Sequence, residues 1–259
     1  MSWKDLNTYI QSIPSPFLEE LFKHCDYPWS PLARLKSHIE KTIGSMKNQG
    51  SLSASRKILY RDDFDFEEGS YFIQSSDRLS SDFVDKELNI CIKKGTLLEA
   101  GATIKNHTFI EKNCEIRQGA YLRGFAYIGE QSVIGHTTEI KNSIFVKHVE
   151  AGHFSYIGDT IVGSYVNLGA GTKISNLEFR SLDAKKNNTF PQLKLHIEGD
   201  IVATGISKFG AIIGDGCETG CNSVLCPLVL LGPKSWVMPN HCVYKGFYHR
   251  GSILRGPKR

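Results

Sequence analysis

Branched aliphatic residues recur at every sixth position along much of the chain. The series runs from Ile92 to Ile174 with two five-residue steps, and fourteen of its fifteen positions are Ile, Leu or Val, although these types total only 57 of 259 residues. Its members are Ile92, Leu98, Ile104, Ile110, Ile116, Leu122, Ile128, Ile134, Ile140, Val146, Ala151, Ile157, Val162, Leu168 and Ile174. An amphipathic helix repeats every 3.6 residues, so a period of six indicates another repeat architecture.

A second feature of the repeat is a small residue four places after each of the first eight aliphatic positions. These residues are Thr96, Ala102, Thr108, Cys114, Ala120, Ala126, Ser132 and Thr138. A hexapeptide β-helix needs both an inward aliphatic side chain and a small side chain near each narrow corner. The aliphatic series resumes at Ile213, Thr219, Leu225, Leu231, Val237 and Val243. The sequence therefore predicts a parallel β-solenoid over 89–245, with a projecting Lys- and Asn-rich loop over 176–207.

The first 88 residues carry a different pattern, typical of helices. Ser15-Pro16 and Ser30-Pro31 each place a capping residue before a proline, and apolar residues at helical spacing follow. We predict that each serine caps a helix. Residues 1–88 are therefore expected to form a separate helical and mixed segment.

Two further stretches lie outside the repeat. Short strand candidates occur at 58–60 and 71–73, and residues 246–259 are predicted to form a basic tail. The basic residues of this tail are Arg250, Arg255, Lys258 and Arg259.

Charge and cysteine content narrow the functional class. The net charge is only +4, and no basic stripe interleaved with aromatic residues indicates nucleic acid as a partner. Residues 1–20 include four charged side chains and no apolar run, so we expect neither a signal peptide nor a membrane anchor. The seven cysteines show no paired spacing, which favours a reducing cytoplasm.

Two cations are candidates for binding an anion. Arg123 and Lys141 occupy the same place in the hexad and lie 18 residues apart, which is one triangular coil of three hexads. Adjacent coils are about 4.8 Å apart. Stacked cations repel unless an anion joins them, and phosphate suits them. The alternative is a pair of solvated surface charges.

Three histidines are candidates for catalysis or for metal binding. His136, His148 and His153 each follow a lattice position by two residues, and His136 and His153 should stack on one face. One of them could be a general base, because histidine titrates near neutrality. Alternatively they could bind zinc, as in hexapeptide-repeat carbonic anhydrases, but His107 is poorly spaced as the further ligand. A third possibility is that these histidines have no role.

One long motif resembles a known family. It reads Ala151-Gly-His-Phe-Ser-Tyr-Ile-Gly-Asp159, followed by Val166-Asn-Leu-Gly-Ala-Gly-Thr172, and later by Lys208-Phe-Gly-Ala-Ile-Ile-Gly-Asp215. These stretches resemble the acetyltransferase domain of bifunctional N-acetylglucosamine-1-phosphate uridylyltransferase / glucosamine-1-phosphate N-acetyltransferase. They also resemble the C-terminal domains of archaeal sugar-1-phosphate nucleotidylyltransferases. The resemblance covers about 92–245 and implies a left-handed parallel β-helix.

The resemblance also implies roles for individual residues. His153 matches the family's catalytic base, and Asn176 matches an asparagine near the acetyl group. The matches to substrate contacts are Arg123, Lys141, Tyr156, Asn167 and, approximately, Lys185. Positions matching contacts to coenzyme A are Ala170, Cys221 and Met238. Three positions depart from the family pattern: Leu177 stands where bacterial members have Tyr, Cys221 where they have Ser, and Met238 where they have Ala.

Together these features predict an N-acetyltransferase that uses acetyl-coenzyme A to acetylate an amino-sugar 1-phosphate. Backbone N–H groups or Asn176 would stabilise the oxyanion. The resemblance implies a homotrimer with sites between chains, and the outward apolar residues Phe109, Tyr121, Tyr127 and Phe145 are expected to pack in it. Residues 1–88 lack the Gly-rich phosphate loop of the nucleotidylyltransferase half, so we expect no nucleotidyl transfer.

Two alternative functions stay open from the sequence. One is acyl transfer to another sugar or sugar nucleotide by the same base. The other is a non-catalytic solenoid that binds a sugar phosphate or regulates a partner protein.

Overall fold

We analysed a computed structural model of the protein, which describes residues 2–52, 55–61, 67–197 and 199–256. A 3₁₀-helix spans Leu6–Thr8, and the α-helices are α1 (Pro16–Leu21), α2 (Ser30–Gly44) and α3 (Leu182–Lys186). None of the described helices is both long and apolar enough to span a bilayer. Up to the loop, the strands are β1 (Ser55–Arg61), β2 (Glu67–Ile73), β3 (Asp77–Arg78), β4 (Phe83–Asp85), β5 (Ile90–Ile92), β6 (Leu97–Leu98), β7 (Thr103–Lys105), β8 (Thr108–Ile110), β9 (Glu115–Ile116), β10 (Tyr121–Leu122), β11 (Ala126–Ile128), β12 (Val133–His136), β13 (Glu139–Lys141), β14 (Ser143–Phe145), β15 (Glu150–His153), β16 (Tyr156–Gly158), β17 (Ile161–Val162), β18 (Asn167–Leu168) and β19 (Lys173–Ile174). The later strands are β20 (Lys194–Ile197), β21 (Asp200–Ala203), β22 (Ala211–Ile213), β23 (Glu218–Thr219), β24 (Val224–Leu225), β25 (Val229–Leu231), β26 (Trp236–Val237), β27 (Cys242–Val243), β28 (Gly246–Tyr248) and β29 (Ile253–Leu254).

The strands form a β-solenoid of about nine stacked turns, consistent with the predicted left-handed β-helix. Each turn contributes one strand to each of three sheets. Face 1 has the order β1-β2-β7-β10-β13-β16-β19-β24-β27, face 2 the order β28-β25-β22-β17-β14-β11-β8-β5-β4, and face 3 the order β29-β26-β23-β18-β15-β12-β9-β6-β3. Tyr121 is opposite Thr103 in the preceding coil and Glu139 in the next, as the 18-residue coil predicts.

The interior of the coil follows the aliphatic lattice, with one correction. The small residues that fill the corners are almost completely buried, Cys114 among them. However, Phe145 pairs with both Ile128 and Val162 on face 2, so Phe145 and not Val146 points inward. The first five-residue step therefore falls between Ile140 and Phe145. Our expectation that Phe145 points outward was wrong.

The N-terminal segment covers the outer surface of face 2. Phe17 of α1 stacks on Tyr127 with ring centroids 4.5 Å apart and lies 5.0 Å from Phe109. Phe109 and Tyr127 do point outward, but they are buried within the chain. They are therefore unavailable for packing between chains, contrary to our expectation. Of the four predicted packing residues, Tyr121 is exposed.

The two helix starts predicted at Ser15 and Ser30 differ in how they are capped. The Ser15 hydroxyl accepts a hydrogen bond from the Leu18 N–H and caps α1 as predicted. Helix α2 begins at Ser30 itself, after Trp29, and has no side-chain cap. Ser30 Oγ instead accepts a hydrogen bond from the Tyr27 N–H, which fixes the turn that leads into the helix.

Residues near the start of the coil close its first turn. The strand candidates at 58–60 and 71–73 form the antiparallel hairpin β1–β2, and β2 pairs with β7. Strands β3 and β4 also run antiparallel to the coil strands beside them. These additions cover a sheet edge that would otherwise expose unpaired backbone groups.

The loop and the C-terminal residues contain strands that the sequence analysis did not predict. Residues 176–207 contain α3 and the hairpin β20–β21, whose Leu195 is fully buried with the N-terminal cluster. Beyond residue 245, β28 and β29 extend the coil by pairing with β25 and β26. The tail residues Lys258 and Arg259 lie outside the described residues.

Candidate functional site

Face 1 carries the predicted phosphate-binding cations on adjacent coils. Arg123 follows β10 and Lys141 ends β13, and the Arg123 N–H donates to the Ile140 carbonyl between them. The two cations are not equivalent, because Arg123 Nη1 donates to Glu139 Oε1 at 2.6 Å. Lys141 forms no ion pair with any described side chain. A bound phosphate would therefore meet one free cation and one already shared with a carboxylate that sequence reasoning missed.

Tyr156 and Asn176 meet beside these cations. Both side chains reach the space beside Gly158. If Gly158 carried a Cβ, that atom would lie 2.7 Å from Tyr156 Oη and 2.9 Å from Asn176 Nδ2. Burial, followed by the charges of Glu139 and Asp159, raises the pKa of Tyr156, and this outweighs the opposing effects of Arg123 and Asn176. The Tyr156 hydroxyl thus stays protonated at neutral pH and can donate a hydrogen bond to a ligand.

Asp159 is a further member of the site. Its buried carboxylate accepts from Asn142 Nδ2 at 2.6 Å and from Asn176 Nδ2 on the other side. The three residues lie 17 positions apart, one shortened coil each, at the corner between faces 1 and 2. The motif analysis included Asp159 without giving it a role. That spacing was the signal that could have found it.

His153 lies at the opposite corner of face 1, where face 3 meets face 1. It ends β15 on face 3, its side chain is exposed, and it is opposite His136 in register, as predicted. Strand β16 separates it from Asp159, and three strand residues span about 10 Å. Within one chain, the candidate base is thus across the face from the candidate phosphate site.

The remaining predicted contacts divide between face 3 and the loop. Asn167 lies on face 3, where its Nδ2 donates to Glu218 Oε2 at 3.0 Å. Lys185 is exposed on α3, and its side chain forms no hydrogen bond or ion pair with the described residues. The structure therefore does not bring Lys185 to the other site residues.

The three predicted coenzyme A positions follow one edge of the coil. The Ala170 carbonyl accepts from the Asn222 N–H, and the Cys221 carbonyl accepts from Asn240 in the next coil. Cys221 is exposed, and Met238 is 42% exposed. The edge is the same corner between faces 3 and 1 that carries His153.

The zinc alternative finds no ligand cluster in the described parts of the chain. There, no three His, Cys, Asp or Glu side chains lie close enough to hold a metal ion. His107 Nε2 instead contacts Glu40 Oε1 at 2.8 Å. The ring of His148 lies against that of Tyr165 in a tilted arrangement, with ring centroids 5.3 Å apart.

The predicted residues thus form two surfaces. One is on face 1 and comprises Arg123, Lys141, Tyr156 and Asn176, joined by Glu139 and Asp159. The other follows the corner between faces 3 and 1 and comprises His153, Ala170, Cys221 and Met238, with Asn167 on face 3 beside it.

Comparison with known proteins places similarity in this part of the chain. Residues 104–205 match the family described as GMPPB C-terminal domain. The bifunctional sugar-1-phosphate nucleotidylyltransferase/acetyltransferase of Sulfurisphaera tokodaii is 34% identical over 163 residues, which are 61% of this chain and 38% of the relative. The bifunctional protein GlmU of Methanococcus vannielii is 36% identical over 126 residues, 49% of this chain and 28% of the relative. GlmU of Methanocaldococcus jannaschii is 30% identical over 168 residues, 62% and 39% of the two chains.

These comparisons confirm the resemblance drawn from the motif, to a GlmU-like acetyltransferase domain. The chain spans less than two fifths of the length of these curated relatives.

Proposed function

We propose that the chain is an N-acetyltransferase that moves an acetyl group from acetyl-coenzyme A to the amine of an amino-sugar 1-phosphate. The observation that carries this proposal is the cluster on face 1, where two cations, a protonated phenol and an oriented amide surround one surface. A phosphate requires the cations, and a sugar offers hydroxyl groups to the others. The similarity to named acetyltransferases supports this choice of chemistry.

In the proposed reaction, Arg123 and Lys141 hold the phosphate and so position the amine. His153 takes one N–H proton as the amine nitrogen attacks the thioester carbonyl carbon. The carbon–sulfur bond then breaks, and the coenzyme A thiolate leaves and is protonated. The proposal covers acetyl transfer alone, because described residues 2–88 supply helices and covering strands but no phosphate loop.

The separation of the two surfaces supports a site shared between copies of the chain in a homotrimer. In glucosamine-1-phosphate the amine and the phosphate are on adjacent ring carbons, so they are closer together than the width of face 1, about 10 Å, that separates His153 from the candidate phosphate site in one chain. Face 2 is covered by the N-terminal segment, whereas Tyr121 of face 1 and Trp236 of face 3 are exposed. We propose that face 1 of one copy meets the His153 corner of the next, and that acetyl-coenzyme A lies along Ala170, Cys221 and Met238.

The first test replaces the candidate base. His153→Ala should lower kcat about 10²–10⁴-fold, which is the usual contribution of a positioned acid or base. The assay would follow release of free coenzyme A thiol, with glucosamine-1-phosphate and galactosamine-1-phosphate as acceptors. The KM for the acceptor should change little, because the cations of face 1 are intact.

His136→Ala is the matched control, because His136 is the exposed histidine paired with His153 in the preceding coil. Its activity should stay near that of the unaltered protein. If the two substitutions reduce kcat equally, or if neither does in an active protein, His153 is not the base.

A further inference from the structure

The buried carboxylate of Asp159 determines how the Asn176 amide is oriented. A carboxylate can only accept hydrogen bonds, so the NH₂ group of Asn176 must face it. The hydrogen bond from Asn176 Nδ2 to Asp159 Oδ2 shows this orientation. The Tyr156 hydroxyl lies on the same side, against the same nitrogen.

The carbonyl oxygen of Asn176 consequently lies on the other side of the amide. In the part of the chain that the structure describes, no donor reaches Asn176 Oδ1. The free group is therefore a hydrogen-bond acceptor, whereas stabilising an oxyanion requires a donor. This disagrees with the expectation that the Asn176 side chain stabilises the oxyanion, and it leaves backbone N–H groups for that role.

We propose that Asp159 is a positioning residue, which holds Asn176 so that its carbonyl oxygen accepts one N–H of the substrate amine. This role rests on the proposed function. A neutral amine carries two N–H groups. If one is held by Asn176 Oδ1 and the other is taken by His153, the nitrogen lone pair is aimed at the thioester carbonyl.

Asn142 completes the arrangement from the opposite side. Its Nδ2 occupies the second carboxylate oxygen of Asp159, and the Asp159 N–H donates to the Lys141 carbonyl at 2.9 Å. Asp159 is thus held by both its side chain and its backbone. The same backbone hydrogen bond ties it to the residue that carries the free phosphate-binding cation.

The test is a double-mutant cycle between Asp159→Asn and Asn176→Ala. Asp159→Asn keeps the size of the side chain but allows the Asn176 amide to rotate and exchange its oxygen and nitrogen. The kcat should therefore fall about 10–10²-fold with a smaller change in KM. If Asp159 acts through Asn176, the double variant should be no slower than Asn176→Ala alone. Effects that multiply would overturn the positioning role.

Asp215→Asn is the matched control, because Asp215 is another corner carboxylate, half-buried, that accepts two N–H groups, from Gln11 and Ser164. It lies at the corner between faces 2 and 3, so its kcat should be unchanged at temperatures where the variant is folded. If Asp215→Asn lowers kcat as much as Asp159→Asn, the effect is structural and the role is overturned. Absence of acetyl transfer by the unaltered protein would instead remove the proposed function, and this role with it.

Discussion

At the scale of single residues, the site depends on the absence of one side chain. Gly158 is buried beside Tyr156 and Asn176. A Cβ added at this position would lie less than 3 Å from both Tyr156 Oη and Asn176 Nδ2. Contacts this short force neighbouring atoms to move. The glycine therefore makes room for the two polar side chains to converge.

Gly158→Ala should displace the Tyr156 hydroxyl or the Asn176 amide and lower kcat/KM by about tenfold or more, because small misplacements in a site are costly. The assay is the same release of coenzyme A. Gly44→Ala is the control, since a Cβ there meets no atom within 4 Å. Equal activity of the two variants would show that Tyr156 and Asn176 are not part of the site.

The sequence predicted some of these residues and missed others for a physical reason. Arg123 and Lys141 were predictable from their 18-residue spacing, because stacked like charges call for an anion. Glu139 and Asp159 gave no such signal. A carboxylate two residues before a lysine, or at a corner, is ordinary until the coil places it against its partner.

At the scale of elements, helix α1 and face 2 are joined by aromatic packing. Phe17 packs against both Phe109 and Tyr127, and the Ser15 hydroxyl that caps α1 also hydrogen-bonds Tyr127 Oη at 2.8 Å. Ser15 thus both caps helix α1 and attaches it to face 2 of the coil. Tyr127 in turn donates to Glu111 Oε1 at 3.1 Å.

Phe17→Ala should lower the free energy of unfolding by about 3–5 kcal/mol, because it leaves a cavity between the helix and face 2. Denaturant unfolding should show an earlier midpoint with a similar slope. Phe179→Ala removes a fully exposed ring and should leave the midpoint unchanged. An unchanged midpoint for Phe17→Ala would contradict the docking of α1.

The period of six predicted the coil but could not locate every step. Phe145 and Val146 are both apolar and both buried, one inside the coil and the other beneath the N-terminal cluster. Hydrophobicity alone cannot distinguish these two kinds of burial. For the same reason, outward Phe109 and Tyr127 were taken for a surface between chains when their own chain covers them.

At the scale of the whole molecule, we propose that one active site takes residues from two chains. In this proposal, face 1 supplies the phosphate-binding cations and the Asn176 amide, and the corner between faces 3 and 1 supplies His153. The fold places these groups at opposite ends of the face 1 strands, of which β16 is one. A sequence does not show this separation, because residues 141 and 153 are close in number.

The most direct test of this claim is complementation between two inactive variants. One is His153→Ala, and the other is the double substitution Arg123→Ala/Lys141→Ala; they would be refolded together and assayed below the KM of the acceptor. Mixed trimers contain sites with an intact face 1 from one chain and an intact His153 from another, so about a quarter of the unaltered rate should return when chains assort at random. A mixture no more active than the sum of its two parents, with mixed trimers shown to be present, would contradict the shared site.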